Sequence, residues 1–180
     1  MRKLLLIVSL SILQFDAASL ERKADENLLR AIFVEKFTRF IQWPKSALDI
    51  DTADFTLCVF KDQLFYQSFK SIFVNLKIKK RKVVVDYLKG IENFDHCHIV
   101  YLSNASLNDL KKIVGISTSN GPLIIGEIKG FVEHGAHINL LEVDKKLRIE
   151  VNTYSMSNSG FKASSKLLKY ARVVRKIEGD

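Results

Sequence analysis

The stretch from Phe94 to Ser103, FDHCHIVYLS, limits the fold more than any other. Ile99, Val100, Tyr101 and Leu102 succeed one another without a polar interruption, the pattern of a strand buried on both faces at the centre of a parallel sheet. Cys97 stands at the entrance of that strand. The other cysteine, Cys58, lies in a second run of the same kind, Phe55 to Phe60 (FTLCVF), so two strands expected to be buried carry one thiol each.

Around these strands the apolar residues recur at three and four. From Asp25 to Trp43 they fall at Leu29, Ile32, Phe33, Phe37, Phe40 and Ile41, which predicts a helix with one broad aromatic face. Pro44 should end it, because a proline disfavours the α conformation in the residue before it. The stripe reads as core packing, with a ligand box as the alternative. After a polar loop, Ser46 to Asp54, and the Phe55 strand comes a helix carrying Leu64, Phe65, Phe69, Ile72 and Phe73. Lys77, Lys79, Lys80, Arg81 and Lys82 form a basic run, read as a solvated loop feeding a strand Val83 to Asp86 in preference to an anion site. Ser106 is a good N-cap for a helix containing Leu107, Leu110, Ile113 and Val114. Asn120, Gly121 and Pro122 make a turn into the apolar strand Leu123 to Gly126. This alternation predicts an α/β fold, a three-layer sandwich with a mostly parallel sheet flanked by helices.

The rhythm changes after Gly130, where Phe131 to Gly135 reads as a turn or a single helical turn. Ala136 to Val143 and Lys146 to Val151 are then two strands joined by Asp144 and Lys145, a C-terminal antiparallel hairpin expected at one edge of the sheet. The last segment, Tyr154 to Val174, reads as a helix with Phe161, Leu168 and Ala171 or Tyr170 turned inward. Its other side carries Lys162, Lys166, Lys169, Arg172 and Lys176, either a solvated face or one for a membrane surface or a partner.

The chain opens with Arg2 and Lys3, an apolar run from Leu4 to Leu13 broken by two serines, and small residues at Ala17, Ala18 and Ser19. That is the three-part pattern of a secretory signal peptide cleaved after Ser19. The apolar run is too short for a membrane span, which needs roughly 20 residues. Removing 19 of 180 residues leaves 161, enough for one domain, 20–180, with a sizeable core. The leader takes two of 28 basic and one of 20 acidic residues with it, leaving a net charge of +7. A basic exported surface favours anionic partners and membrane faces, and export makes nucleic acid an unsuitable target.

Catalytic signatures fail at the level of spacing: no G-x-S-x-G elbow, G-x-x-x-x-G-K phosphate loop or G-x-G-x-x-G dinucleotide turn is present. No catalytic residue and no cofactor is therefore expected. His96, Cys97, His98, His134 and His137 are candidates for a metal site. In an extended strand His96 and His98 would share one face and Cys97 the other, so all three could not ligate one ion, and no metal site is expected. For Cys58 and Cys97 an oxidising compartment, an even count and two strand-borne positions favour a disulfide, with two free buried thiols as the alternative.

These pieces together resemble the YfiR family of exported bacterial proteins. The matching segments are FTRFIQWP at Phe37 to Pro44, the FTLCVF strand, HCHIVYLS at His96 to Ser103, HGAHINL at His134 to Leu140, LRIEVN at Leu147 to Asn152, and GFKASSKLLKYA at Gly160 to Ala171. Their order is more specific than any piece alone. The resemblance implies a periplasmic α/β domain that restrains an inner-membrane diguanylate cyclase by binding its periplasmic sensor region, a role in cyclic di-GMP and biofilm control. It also implies that Cys58 and Cys97 are the family's strand-linking pair. Two departures stand out: Lys61 replaces a glycine common after the cysteine strand, and a further cysteine pair found in some members is absent. A homodimer and a position beside the membrane surface stay open. The competing expectation is a periplasmic small-molecule-binding or enzymatic α/β domain, with its ligand at the carboxyl ends of the strands.

Overall fold

A computed structural model describes the backbone of residues 2–48, 54–117 and 121–177, with side chains from Glu21 onward except Ser46. The leader expected over residues 1–19 lies outside the described side chains. Residues 49–53 of the expected polar loop and Asn120 of the expected turn lie outside the described residues altogether. Among the described residues no helix is long and apolar enough to cross a membrane.

The chain begins with α1 (Arg2–Phe40), β1 (Ile41–Gln42) and α2 (Lys45–Leu48). The buried strand β2 (Phe55–Phe60) leads to α3 (Gln63–Phe73), whose first turn is capped by Asp62 accepting the Phe65 amide. A hairpin of β3 (Lys77–Ile78) and β4 (Arg81–Leu88) precedes β5 (Ile99–Leu102), α4 (Leu107–Ile116) and β6 (Leu123–Gly126). The expected N-cap at Ser106 is realised as a capping box, with Asp109 bonding back to the Ser106 amide. β7 (Ile138–Val143) and β8 (Lys146–Asn152) follow, then α5 (Thr153–Asn158), β9 (Lys162–Ala163), α6 (Ser165–Leu168) and β10 (Ala171–Val174).

The main sheet runs β10-β8-β7-β6-β5-β2-β4-β3. Its pairings from β7 through β6, β5 and β2 to β4 are parallel, while β7 with β8 and β3 with β4 are antiparallel. α1 and α3 cover one face, over a core containing Phe37, Phe55, Leu57, Phe69, Ile99 and Tyr101. α4 covers the other, over Cys58, Phe60, Val100, Leu102, Leu110 and Phe131. The protein is therefore a mixed α/β fold with a mostly parallel central sheet between helices, joined by a second, two-stranded antiparallel sheet of β1 and β9.

Four differences from the sequence reading have physical reasons. The Asp25–Trp43 helix stops at Phe40, since Ile41 and Gln42 extend to pair with Ala163 and Lys162. Within α1, burial falls on Ala31, Val34 and Phe37, while Leu29 and Ile32 are more than 40% exposed, so the expected stripe divides between the core and the surface. The basic run is a hairpin, with Lys79 and Lys80 at φ 51° and 68°, and the strand it feeds starts earlier than Val83, at Arg81. The last helix, Tyr154 to Val174, is instead a short helix, a bridge strand, one helical turn and an edge strand. Gly160 at φ 77° breaks it, and Ala171 to Val174 add in parallel to β8 from Ile149 to Asn152, so β10 lies outside the Asp144–Lys145 hairpin.

Candidate functional site

Cys58 and Cys97 meet because their strands are neighbours. β2 and β5 pair with Cys58 beside Val100, and the chain enters β5 through a turn in which the Cys97 amide donates to the Phe94 carbonyl at 2.9 Å. The two sulfurs are bonded, with α-carbons 5.9 Å apart, and both residues are buried. His96 belongs to that turn and lies on the sulfur side: its Nε2 is 3.8 Å from Cys58 Sγ, 3.9 Å from Cys97 Sγ and 2.9 Å from Asp86 Oδ2. His96 and His98 thus do not share a face opposite Cys97, because alternation begins only at Ile99, where the chain becomes extended.

His98 and His137 have a role that the sequence reading missed. Each precedes a strand by one residue, and its Nδ1 accepts a backbone amide from the neighbouring strand: Thr56 to His98 at 3.0 Å, Ile124 to His137 at 2.9 Å. The same two residues close the backbone pairing, with His98 N–H donating to Thr56 O at 2.9 Å and His137 N–H to Ile124 O at 3.1 Å. With Nδ1 an acceptor, the neutral ring carries its proton on Nε2. His137 therefore donates to Ser159 Oγ, 3.0 Å away, the reverse of what a general base must do to activate a serine. Burial lowers both pKa values to about 4, helped at His98 by the positive charge of Arg81. The signal for this pair was the repeated His-Ile at 98–99 and 137–138.

The carboxyl ends of the central strands hold a second polar group. The Tyr101 hydroxyl donates to Glu127, and Arg30 from α1 pairs with Glu127 at 2.8 Å. Nearby, Ser103 Oγ donates to Asp62 at 3.1 Å. Burial raises the Glu127 carboxyl and the Tyr101 hydroxyl, which keeps the tyrosine neutral. Arg30, reaching in from α1, occupies the end of the sheet where an open α/β fold would seat a small molecule.

A groove of about 500 Å³ runs between α1, β8 and α6. Phe33, Phe37 and Phe40 of α1, Ile149 of β8, and Leu167 form its apolar lining, with Lys36, Lys166, Lys169 and Tyr170 around it. Tyr170, expected as a possible inward residue, is 74% exposed, and Leu167 is buried instead. Leu29 and Ile32 continue the exposed apolar strip along α1 toward its N-terminal end. Of the basic residues expected on one helical face, Lys166 and Lys169 line this groove, whereas Arg172 turns to Glu150 at 2.6 Å.

No curated protein sequence matches the chain. Among solved structures, a conserved domain protein from Vibrio cholerae O1 biovar El Tor strain N16961 gives a TM-score of 0.47 at 11% identity, over 67% of this chain and 54% of that one. The chain thus spans about half the length of that solved protein. A family described as YfiR/HmsC-like matches residues 27–172, from the middle of α1 into β10, and the chain belongs to that family.

Proposed function

We propose that this protein is an exported regulator that binds the periplasmic region of an inner-membrane diguanylate cyclase, restraining cyclic di-GMP synthesis and biofilm formation. Membership of the YfiR/HmsC-like family over residues 27–172 is the observation that carries this reading. The Nε2-protonated His137 supports a binding role over hydrolysis by a serine, and inhibition needs only differential affinity for the inactive state of the partner.

In this reading the groove beside α1 is the docking surface. An apolar floor between Lys36, Lys166 and Lys169 suits a partner segment with apolar anchors flanked by carboxylates. The test is binding of the purified protein to the purified periplasmic region of a candidate cyclase, with Lys36→Glu, Lys166→Glu and Lys169→Glu combined. The wild type should bind, and the triple variant should bind about tenfold or more weakly at low salt. Equal binding by the variant would move docking away from the groove. Failure of the wild type to bind would remove the partner.

A further inference from the structure

We infer that Cys58, His96 and Cys97 form a zinc site when the disulfide is reduced, with the exposed Asp86 turning in as the fourth ligand, so that the bridge and the metal are alternative occupants of one place in the fold. Cys58 Sγ, Cys97 Sγ and His96 Nε2 already lie within 4.8 Å of one another. Asp86 stands beside Cys58 in the β2–β4 register and presents Oδ2 to His96, while its Oδ1 accepts the Tyr87 amide.

Tetrahedral zinc has Zn–S of about 2.3 Å and Zn–N of about 2.0 Å, which places a sulfur about 3.6 Å from the nitrogen and the nitrogen about 3.4 Å from a carboxylate oxygen. The corresponding distances here are 3.8 and 3.9 Å to the sulfurs and 2.9 Å to Asp86. Two adjustments are needed: the sulfur pair opens to about 3.8 Å once unbonded, and the exposed Asp86 carboxylate, which stands outside the cluster of the other three ligand atoms, leaves its hydrogen bond to His96 Nε2 and turns toward the sulfurs. Rotation of the two cysteine side chains about their Cα–Cβ bonds opens the sulfur pair without moving α-carbons that are 5.9 Å apart. Two thiolates, an imidazole and a carboxylate form a ligand set that suits zinc and disfavours calcium or magnesium. The His96 and Asp86 side chains are 43% and 51% exposed, which gives the ion a path from solvent to sulfurs that are otherwise buried.

The exchange balances with a dithiol as reductant. It delivers two electrons and two protons to the Cys58–Cys97 bond, leaving two thiols, and itself closes to a disulfide. Zinc then binds the two sulfurs as thiolates and both protons pass to solvent.

The test uses the full chain, reduced with a phosphine, freed of it without air, and titrated with Co²⁺ as a spectroscopic stand-in for zinc. One equivalent should give a thiolate-to-cobalt charge-transfer band with tetrahedral d–d bands, both abolished by Zn²⁺. The oxidised chain should give neither. His96→Gln and Asp86→Asn alter exposed side chains outside the core; each should lose the tetrahedral spectrum or bind at least about tenfold more weakly. Where reduction alone unfolds the chain, Zn²⁺ should restore the thermal transition of the wild type and not that of His96→Gln. The inference is overturned by a reduced chain that neither binds Co²⁺ nor refolds with Zn²⁺, or by His96→Gln behaving as wild type.

Discussion

His98 and His137 each supply an acceptor for an amide in the neighbouring strand, and both do so only as neutral rings. Their folded pKa values of about 4, against 6.5 in an exposed histidine, fix the sign of the pH dependence. Between those values the unfolded chain binds protons that the folded chain refuses, so stability rises with pH. The contribution is fully present above pH 6.5 and is lost as pH falls toward about 4. Thermal midpoints measured across that window should fall steadily with acidification. His137→Ala should cost about 1–3 kcal/mol at neutral pH, because it leaves the Ile124 amide without its side-chain acceptor, and should flatten the slope. A midpoint independent of pH in this range would contradict the assignment. Lys61 shows another residue-scale constraint: its φ of 52° lies in the left-handed region that favours glycine, the residue expected there from the family resemblance. Its side chain compensates by pairing with Asp109 at 3.1 Å and lying over the Phe60 ring.

Strands β2, β5 and β6 were legible in the sequence because each is a short run, apolar but for Thr56 in β2, buried on both faces, where no alternative periodicity competes. The segment after Asn152 was not, since lysines and apolar residues spaced three and four apart imitate a helix, and only pairing with β8 selects the strand at Ala171–Val174. For the site, Cys58 and Cys97 were readable from strand patterning, but the place of His96 depends on a turn and was hidden by the assumption of alternation. The groove was equally hidden, because α1 is far in the chain from β8 and α6. The bridge ties β2 to the entrance of β5 across 39 positions, a closure that contributes about 4 kcal/mol in the chain-entropy model. Cys58→Ser should therefore lower the thermal midpoint in metal-free, oxidising buffer and expose one reactive thiol at Cys97. Two reactive thiols in the native wild type, or an unchanged midpoint, would refute a structural bridge.

For the molecule as a whole, the proposed regulation from outside the inner membrane rests on family membership, with the basic groove and the leader-like pattern of residues 1–19 as its support. The same account expects the mature protein to begin near Leu20. The most direct measurement is cellular cyclic di-GMP in a strain lacking this gene and complemented with either the full chain or a chain without residues 1–19. Deletion should raise the nucleotide, the full chain should return it to the starting level, and the leaderless chain should not. An unchanged nucleotide level on deletion, with a candidate cyclase expressed, or full rescue by the leaderless chain, would contradict the account.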